Sequence, residues 1–403
     1  MAKVLFLSIP SHGHMNPMLG LAAELVNQGE HVTFFSSDEF KKSIEDIGAH
    51  YLAYQSDMNI FQKKPGDTKP QKGLMGSLME PKKFIDDVLA QIRDVKFDYI
   101  VFSAAYPYAT TIKQILNLPS VSSFAVFVTM KELMESRNPS NDAHEKKPFG
   151  VDQSLIDSFK PVREKVMQQY GVTIPENIFD LLINKGDLNI IYTSEYFIRS
   201  KAYYDDSFIF VGPPVYDKKY NVDFPFDKLA GKKVIYISMG TIFGNHSQTL
   251  NQLFFEAFRD TDYVVVMAAH NVDLSTYTVP SNFIIRDYVP QLELLKHTSI
   301  AITHAGMNSI GDLLYNEVPF VAIPLGADQF YMANRAAELG ATLVLDINTI
   351  TAEAIKEAVD QVLTHSLYRE NIHKISASFK EAGGYKKAVA AIFELMRQKG
   401  VLS

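Results

Sequence analysis

The 403-residue chain contains no cysteine. Disulfide staples, thiolate nucleophiles and cysteine-based zinc sites are therefore excluded. The absence suits a reducing compartment, and the cytoplasm is the expected location. No run of about 18 apolar residues occurs, so no membrane-crossing helix is expected. The first apolar stretch stops at Pro10 and gives way to Ser11-His12-Gly13-His14. It reads as a buried strand and not as a signal peptide. A basic excess is also missing, with net charge −7 and a pI near 5.9. No nucleic-acid partner is expected at that balance, although backbone dipoles can still hold a small anion. Short repeats, low-complexity tracts, a P-loop and a G-x-G-x-x-G string after a strand are absent too, which argues against a nicotinamide oxidoreductase.

What remains is an ordinary globular mix, 47% hydrophobic and 21% charged. The length suits two domains of about 200 residues each. Apolar strand-like runs alternate with helix-like segments, the pattern of parallel sheets covered on both faces. Lys3–Ile9, His31–Phe35, His50–Tyr54, Tyr99–Ser103 and Ser120–Ser123 read as strands. Asn16 reads as the cap of the first helix, with Pro17 in its first turn and an end near Gln28. Polar stretches at 55–80 and 135–148 read as long loops. After a strand at Ile209–Val211, Gly212-Pro213-Pro214 and the polar run to Lys233 read as a linker. Alternation restarts at Val234–Ser238 and continues through Val264–Met267, Phe283–Ile285, Ile300–Thr303 and Phe320–Ile323. The expected fold is α/β, with two Rossmann-like domains facing a cleft, residues 1–212 and 213–403. The last helix is free to cross back to the first domain.

Two strings lie where such sheets bind ligands, beyond the carboxyl ends of strands. His12 and His14 follow the first strand. An imidazole there suits a general base, worth about 10²–10⁴ in rate, and a polar loop residue is the plain alternative. His304-Ala305-Gly306-Met307-Asn308-Ser309 follows the strand ending at Thr303 and opens a helix. Gly306 permits close backbone approach, and the helix end favours a diphosphate, although simple capping also selects Asn and Ser. Ser238-Met239-Gly240-Thr241 occupies the corresponding turn of the first strand of the second domain. Asp260-Thr261-Asp262 sits at a helix-to-strand junction and reads as solvated surface, not as a Mg²⁺ site.

Together with Gly13-His14-Met15-Asn16-Pro17, Tyr288-Val289-Pro290-Gln291, Asp312 and Asp328-Gln329, these strings resemble the family 1 glycosyltransferases of GT-B fold. The bacterial macrolide and flavonoid UDP-glucosyltransferases are the nearest group, and the resemblance spans essentially the whole chain. It implies an inverting transfer of a hexose, glucose first, from a UDP-sugar to a hydroxyl of a small apolar acceptor. The UDP-sugar is a co-substrate, and neither cofactor nor metal is implied. The first domain would hold the acceptor and the second the donor. His14 would be the base. Tyr288 and the Val289 backbone would meet uracil, with Gln291 and Asp312 at the ribose. His304, Gly306, Asn308 and Ser309 would hold the diphosphate, helped by Ser238 and Thr241, Gly13 and Gly240 would also border the donor, and Asp328 and Gln329 would read the sugar hydroxyls.

The chain departs from the family at two places. Ser103 stands where relatives carry an Asp that orients the catalytic imidazole, and Asp312 stands where they carry a Glu. Ser103 is expected to orient His14 through its hydroxyl and to leave a weaker base. Tyr106, Tyr108, Phe124, Phe127 and Met130 follow strands four and five and are candidates for the acceptor wall, with plain core as the alternative. A UDP-sugar epimerase and a non-catalytic nucleotide-sugar binder are the competing readings.

Overall fold

The computed structural model describes residues 1–58, 76–125, 132, 153–216, 223–240, 248–269, 272–326 and 328–402. The chain divides into two compact units. Unit 1 comprises Met1–Tyr192, Ser200–Pro214 and Ala382–Ser403, and unit 2 comprises Thr193–Arg199 and Val215–Glu381. Thr241, Phe127 and Met130 lie outside the described residues, as do most of the 55–80 loop and all of 135–148.

In unit 1, β1 (Lys3–Leu7), α1 (His12–Asn27), β2 (His31–Ser36), α2 (Lys41–Asp46), β3 (His50–Ala53) and α3 (Pro81–Gln91) come first. They are followed by β4 (Tyr99–Ser103), α4 (Ala109–Leu116), β5 (Ser120–Phe124), α5 (Gln153–Tyr170), β6 (Leu188–Ile191) and β7 (Phe208–Phe210). The seven strands are parallel in the order β3-β2-β1-β4-β5-β6-β7. β1 and β4 are central, and four of five residues in β1 and all five in β4 are buried. Runs of Val, Leu and Phe in β1 and of Tyr, Ile, Val and Phe in β4 are what two covered faces require.

α1 starts earlier than the sequence suggests. Its first residue is His12, and the extended Ser11 precedes it as N-cap. Met15 N–H already donates to Ser11 O at 2.8 Å, so the first turn is closed before Asn16 is reached. Asn16 is therefore not the cap, and Pro17 lies inside the helix. The proline forgoes only the bond to Gly13, one turn from the helix start. His14 accordingly sits on a helix and not in a loop.

Unit 2 repeats the plan with β8 (Lys233–Ser238), α6 (Gln248–Phe258), β9 (Tyr263–Ala268), β10 (Phe283–Arg286), α7 (Gln291–Leu295), β11 (Ile300–Thr303) and α8 (Met307–Tyr315). Next come β12 (Phe320–Ala322), α9 (Gln329–Glu338), β13 (Thr342–Val344), α10 (Ala352–Thr364) and α11 (Ser366–Glu381). Its six parallel strands are ordered β10-β9-β8-β11-β12-β13. Ile235, Ile237, Val265, Ile302 and Val321 pack with Phe254, Phe258 and Val359 in its core. Thr193–Arg199 joins this unit because the Arg335 guanidinium donates to the carbonyls of Phe197 and Ile198, at 2.8 and 3.2 Å, and Arg199 pairs with Glu338.

The final helix α12 (Gly384–Gln398) belongs to unit 1. Gly384 N–H donates to Val211 O at 2.7 Å, and the Tyr385 hydroxyl donates to Pro17 O at 3.0 Å. The Tyr385 ring fills the space over Gly20, where an added Cβ would stand 2.4 Å from ring carbons.

Candidate active site

Each sheet reverses its strand order once near its centre, between β1 and β4 in unit 1 and between β8 and β11 in unit 2. Ligands of doubly wound sheets bind at such switch points. His14 and Ser103 fall at the first, and Ser238 and His304 fall at the second.

In unit 1, the third residue of α1 meets the last residue of β4. His14 Nδ1 lies 2.9 Å from Ser103 Oγ. Ser103 is buried, in register with Ser123 on β5. Burial pushes the His14 imidazole down to about 4, so the ring is neutral at physiological pH. When Nδ1–H donates to Ser103 Oγ, the Nε2 lone pair is left able to take a proton. A hydroxyl thus occupies the place of the orienting carboxylate. His12 faces other groups, with its Nε2 3.2 Å from Glu39 and its ring edge-on to Phe40. Gly13 is exposed on the first turn of α1.

Tyr106, Tyr108 and Phe124 are interior residues of unit 1. None exceeds 1% exposure. The Tyr106 hydroxyl donates to Phe84 O at 3.4 Å, and the Tyr108 hydroxyl donates to Leu78 O. Phe124 packs edge-on against Phe208. A buried tyrosine keeps its ring in the core as long as its hydroxyl finds a carbonyl. These rings belong to the core and do not form an exposed apolar surface.

In unit 2, the turn after β8 and the turn after β11 are joined by His304. Its backbone N–H donates to Ser238 O at 3.2 Å, and its Nδ1 lies 3.3 Å from the same carbonyl. A carbonyl only accepts, so Nδ1 carries the proton and Nε2 the lone pair. Burial pushes this imidazole down to about 4 as well, against the pull of the Ser238 carbonyl. Nε2 faces two glycines. A Cβ on Gly240 would stand 2.8 Å from it, and one on Gly306 would stand 2.5 Å away. Gly240 also has φ +79°, which a side chain would strain. The buried Ala305, between His304 and Gly306, has φ +66°, a left-handed conformation rare for a residue with a Cβ. Strain held in place at a turn is a mark of functional sites. Asn308 and Ser309 lie in the first turn of α8, whose N-terminus carries about half a positive charge.

The remaining residues expected at the donor lie in the same unit. Tyr288 is 37% exposed, while Val289 is buried beside it. Gln291 opens α7, and its Nε2 donates to Asp312 Oδ2 at 2.6 Å. Burial pushes the Asp312 carboxyl up to about 7, opposed by the Gln291 bond. Asp328 precedes α9, and burial pushes its carboxyl up to about 6. Gln329 Oε1 accepts from the backbone N–H groups of Leu325 and Gly326, at 2.8 and 3.2 Å. Its amide nitrogen is the group left to donate, so Asp328 and Gln329 offer complementary hydrogen-bonding roles. Asp260 and Asp262 are exposed at the junction before β9. Two features escaped sequence reading: the left-handed Ala305, and Tyr236 on β8, whose hydroxyl donates to Gln291 Oε1 at 2.9 Å. For Tyr236 a signal existed, since a tyrosine inside a buried strand must find its hydroxyl a partner.

The fold is that of GT-B glycosyltransferases. The glycotransferase of kitacinnamycin superposes with a TM-score of 0.80 at 21% identity over 100% of this chain and 99% of its own. CalG4, the calicheamicin glycosyltransferase, gives 0.76 at 23% over 98% of each. Residues 226–402 match the model of the family described as UDP-glucoronosyl and UDP-glucosyl transferase. The uncharacterized UDP-glucosyltransferases YojK and YdhE of Bacillus subtilis are 32% and 33% identical, each over 99% of this chain and 98% and 100% of their own lengths. The demethyllactenocin mycarosyltransferase of Streptomyces fradiae is 27% identical over 97% of this chain and 85% of its own. The chain belongs to the UDP-glucuronosyl and UDP-glucosyl transferase family, the family 1 glycosyltransferases, and it is a glycosyltransferase.

Proposed function

We propose that the protein transfers glucose from UDP-glucose to a hydroxyl of a small apolar acceptor, of polyphenol or macrolide type, with inversion and without a metal. In this reading His14 Nε2 takes the acceptor's proton, and the acceptor oxygen attacks the anomeric carbon. The bond from that carbon to the diphosphate oxygen breaks on the opposite side, and UDP departs. The N-terminus of α8, with Ser238, Gly240, Thr241, Gly306, Asn308 and Ser309, takes up the leaving charge. His304 adds to that set once protonated. Asp328 and Gln329 bind sugar hydroxyls, a set that discriminates because a missing hydroxyl leaves buried polar groups unpaired.

The observation that carries the reading is the 2.9 Å contact of His14 Nδ1 with Ser103 Oγ at a switch point, which orients a neutral imidazole for proton abstraction. The Bacillus UDP-glucosyltransferases support the choice of donor, and the demethyllactenocin mycarosyltransferase supports a small-molecule acceptor.

Mass spectrometry of products tests it, using phenols and macrolides with UDP-glucose, UDP-galactose, UDP-GlcNAc and dTDP-glucose. A hexose adduct strongest with UDP-glucose, undiminished by a chelator and abolished by His14→Ala, is expected. UDP release without any acceptor would point to another sugar-nucleotide reaction. A fully active His14→Ala beside an inactive His12→Ala would move the base to His12.

A further inference from the structure

We propose that Tyr54 is a positioning residue for the proton-abstracting pair: its hydroxyl and its ring tie the turn after β1, which leads to His14, to the turn after β4, which follows Ser103. The proposal rests on the reading of His14 as the base.

Tyr54 extends β3 by one residue, with its N–H donating to Ser36 O at 3.1 Å. Its hydroxyl donates to Ser8 O at 3.0 Å and accepts from Ser8 N–H at 3.2 Å. Ser8 is the first residue past the end of β1 and is fully buried. A buried N–H and C=O both need partners, and a hydroxyl is donor and acceptor at once. Burial pushes this phenol well above its ordinary value, so it keeps the proton it donates.

From Ser8 the hold reaches His14 through a short run of backbone. Ser11 N–H donates to Ile9 O at 2.8 Å, and Pro10 between them has a fixed φ. Ser11 O then accepts from His14 N–H at 3.0 Å and from Met15 N–H at 2.8 Å, so the first turn of α1 hangs on it. On the other side, the Tyr54 ring stacks on Tyr106, with centroids 6.0 Å apart and 23° between planes. Tyr106 N–H donates to Ser103 O at 2.8 Å. The two arms meet where His14 Nδ1 lies 2.9 Å from Ser103 Oγ. A neutral hydroxyl holds an imidazole less firmly than a carboxylate does, so alignment depends more on the backbone of both turns. Misplacement of a reacting group by about 1 Å costs on the order of 10² in rate.

The test compares two acceptors at saturating donor, an alcohol and a nitrophenol already ionised at the assay pH. The nitrophenolate has no proton to give up, so its transfer depends little on the base. Tyr54→Phe keeps the ring and deletes the hydroxyl. Its kcat should fall by about tenfold or more on the alcohol and by less than about threefold on the nitrophenol. A purely structural loss lowers both turnovers alike and leaves their ratio where it was. Pro10→Gly leaves Tyr54 intact and slackens the run from Ser8 to Ser11, so it should show the same selective loss. In a Ser103→Ala background, Tyr54→Phe should cost the alcohol reaction less than about threefold more, because both changes act on one alignment. The proposal is overturned if Tyr54→Phe lowers both turnovers equally or lowers neither, if Pro10→Gly spares the alcohol, or if the losses from Tyr54→Phe and Ser103→Ala multiply in full. A His14→Ala variant that keeps full turnover on the alcohol would instead bring down the base reading on which the proposal stands.

Discussion

At the scale of single residues, the half-buried histidines His14 and His304 are shifted by a common cause. Both imidazoles are lowered to about 4 by burial. A base with a lowered value is neutral, and therefore competent, at every pH above it. It loses function only as pH falls through that value. With saturating donor, kcat is expected to hold from pH 7 down through 6.5, the ordinary histidine value, and to fall near 4. Ser103→Asp places a carboxylate against Nδ1 and stabilises the imidazolium. Its acid limb should move up toward 6.5, and turnover on alcohols should rise by about tenfold or more, with a smaller gain on phenols that shed their proton easily. Equal or lower turnover on both acceptor classes would show that Ser103 does not limit the base.

His304 carries a second expectation at this scale. Its Nδ1 proton is committed to Ser238 O, and its bare Nε2 faces Gly240 and Gly306. A lone pair repels phosphate oxygens, so a diphosphate at this turn favours the protonated ring. UDP binding is therefore expected to take up close to one proton at pH 7, measured as a dependence of the calorimetric enthalpy on the buffer's ionisation enthalpy. His304→Gln, whose amide donates without titrating, should remove that dependence.

Among elements, α12 is tied by Tyr385 to α1, the helix that carries His14. Tyr385 Oη binds Pro17 O at 3.0 Å, and its ring occupies the space that a side chain at position 20 would need. Alanine is a better helix former than glycine by about 1 kcal/mol. Against that, a Cβ 2.4 Å from a buried ring forces a shift of the kind that costs about 1–3 kcal/mol. Overpacking wins, so Gly20→Ala should lower stability in a denaturant titration despite its helix propensity. Tyr385→Phe should cost about 1 kcal/mol through the lost hydroxyl bond. The motif that resembles the family's was legible in the sequence here, but the start of α1 was not. Asn16-Pro17 carries the local signature of a helix start, yet the observed cap lies five residues earlier. The extended Ser11 begins the helix, and that choice puts His14 beside Ser103.

For the whole molecule, one doubly wound plan occurs twice, with His14 and Ser103 at the strand-order reversal of one copy and Ser238 and His304 at that of the other. Unit 1 is closed by a helix drawn from the far end of the chain. Truncation after Glu381 should therefore lower the melting temperature of unit 1 by several degrees while unit 2 keeps its own transition, as resolved by calorimetry. An unchanged unit 1 transition would show that α12 adds little to it.

Local chemistry in the sequence was enough to declare the two α/β cycles, the glycine-rich turns after β8 and β11, and the residue types needed for a base and a diphosphate cradle. Those features rest on periodicity, turn chemistry and helix-end electrostatics, which act over a few residues. The tertiary structure alone decided that Tyr106, Tyr108 and Phe124 are core, because burial depends on which faces meet. It also decided that Ser103 reaches His14 across 89 positions, that the Tyr236 hydroxyl bonds Gln291 across 55, and that Tyr385 lies on Gly20. Each of these is a contact between distant segments, and its geometry is set by strand order and register, which no local pattern encodes.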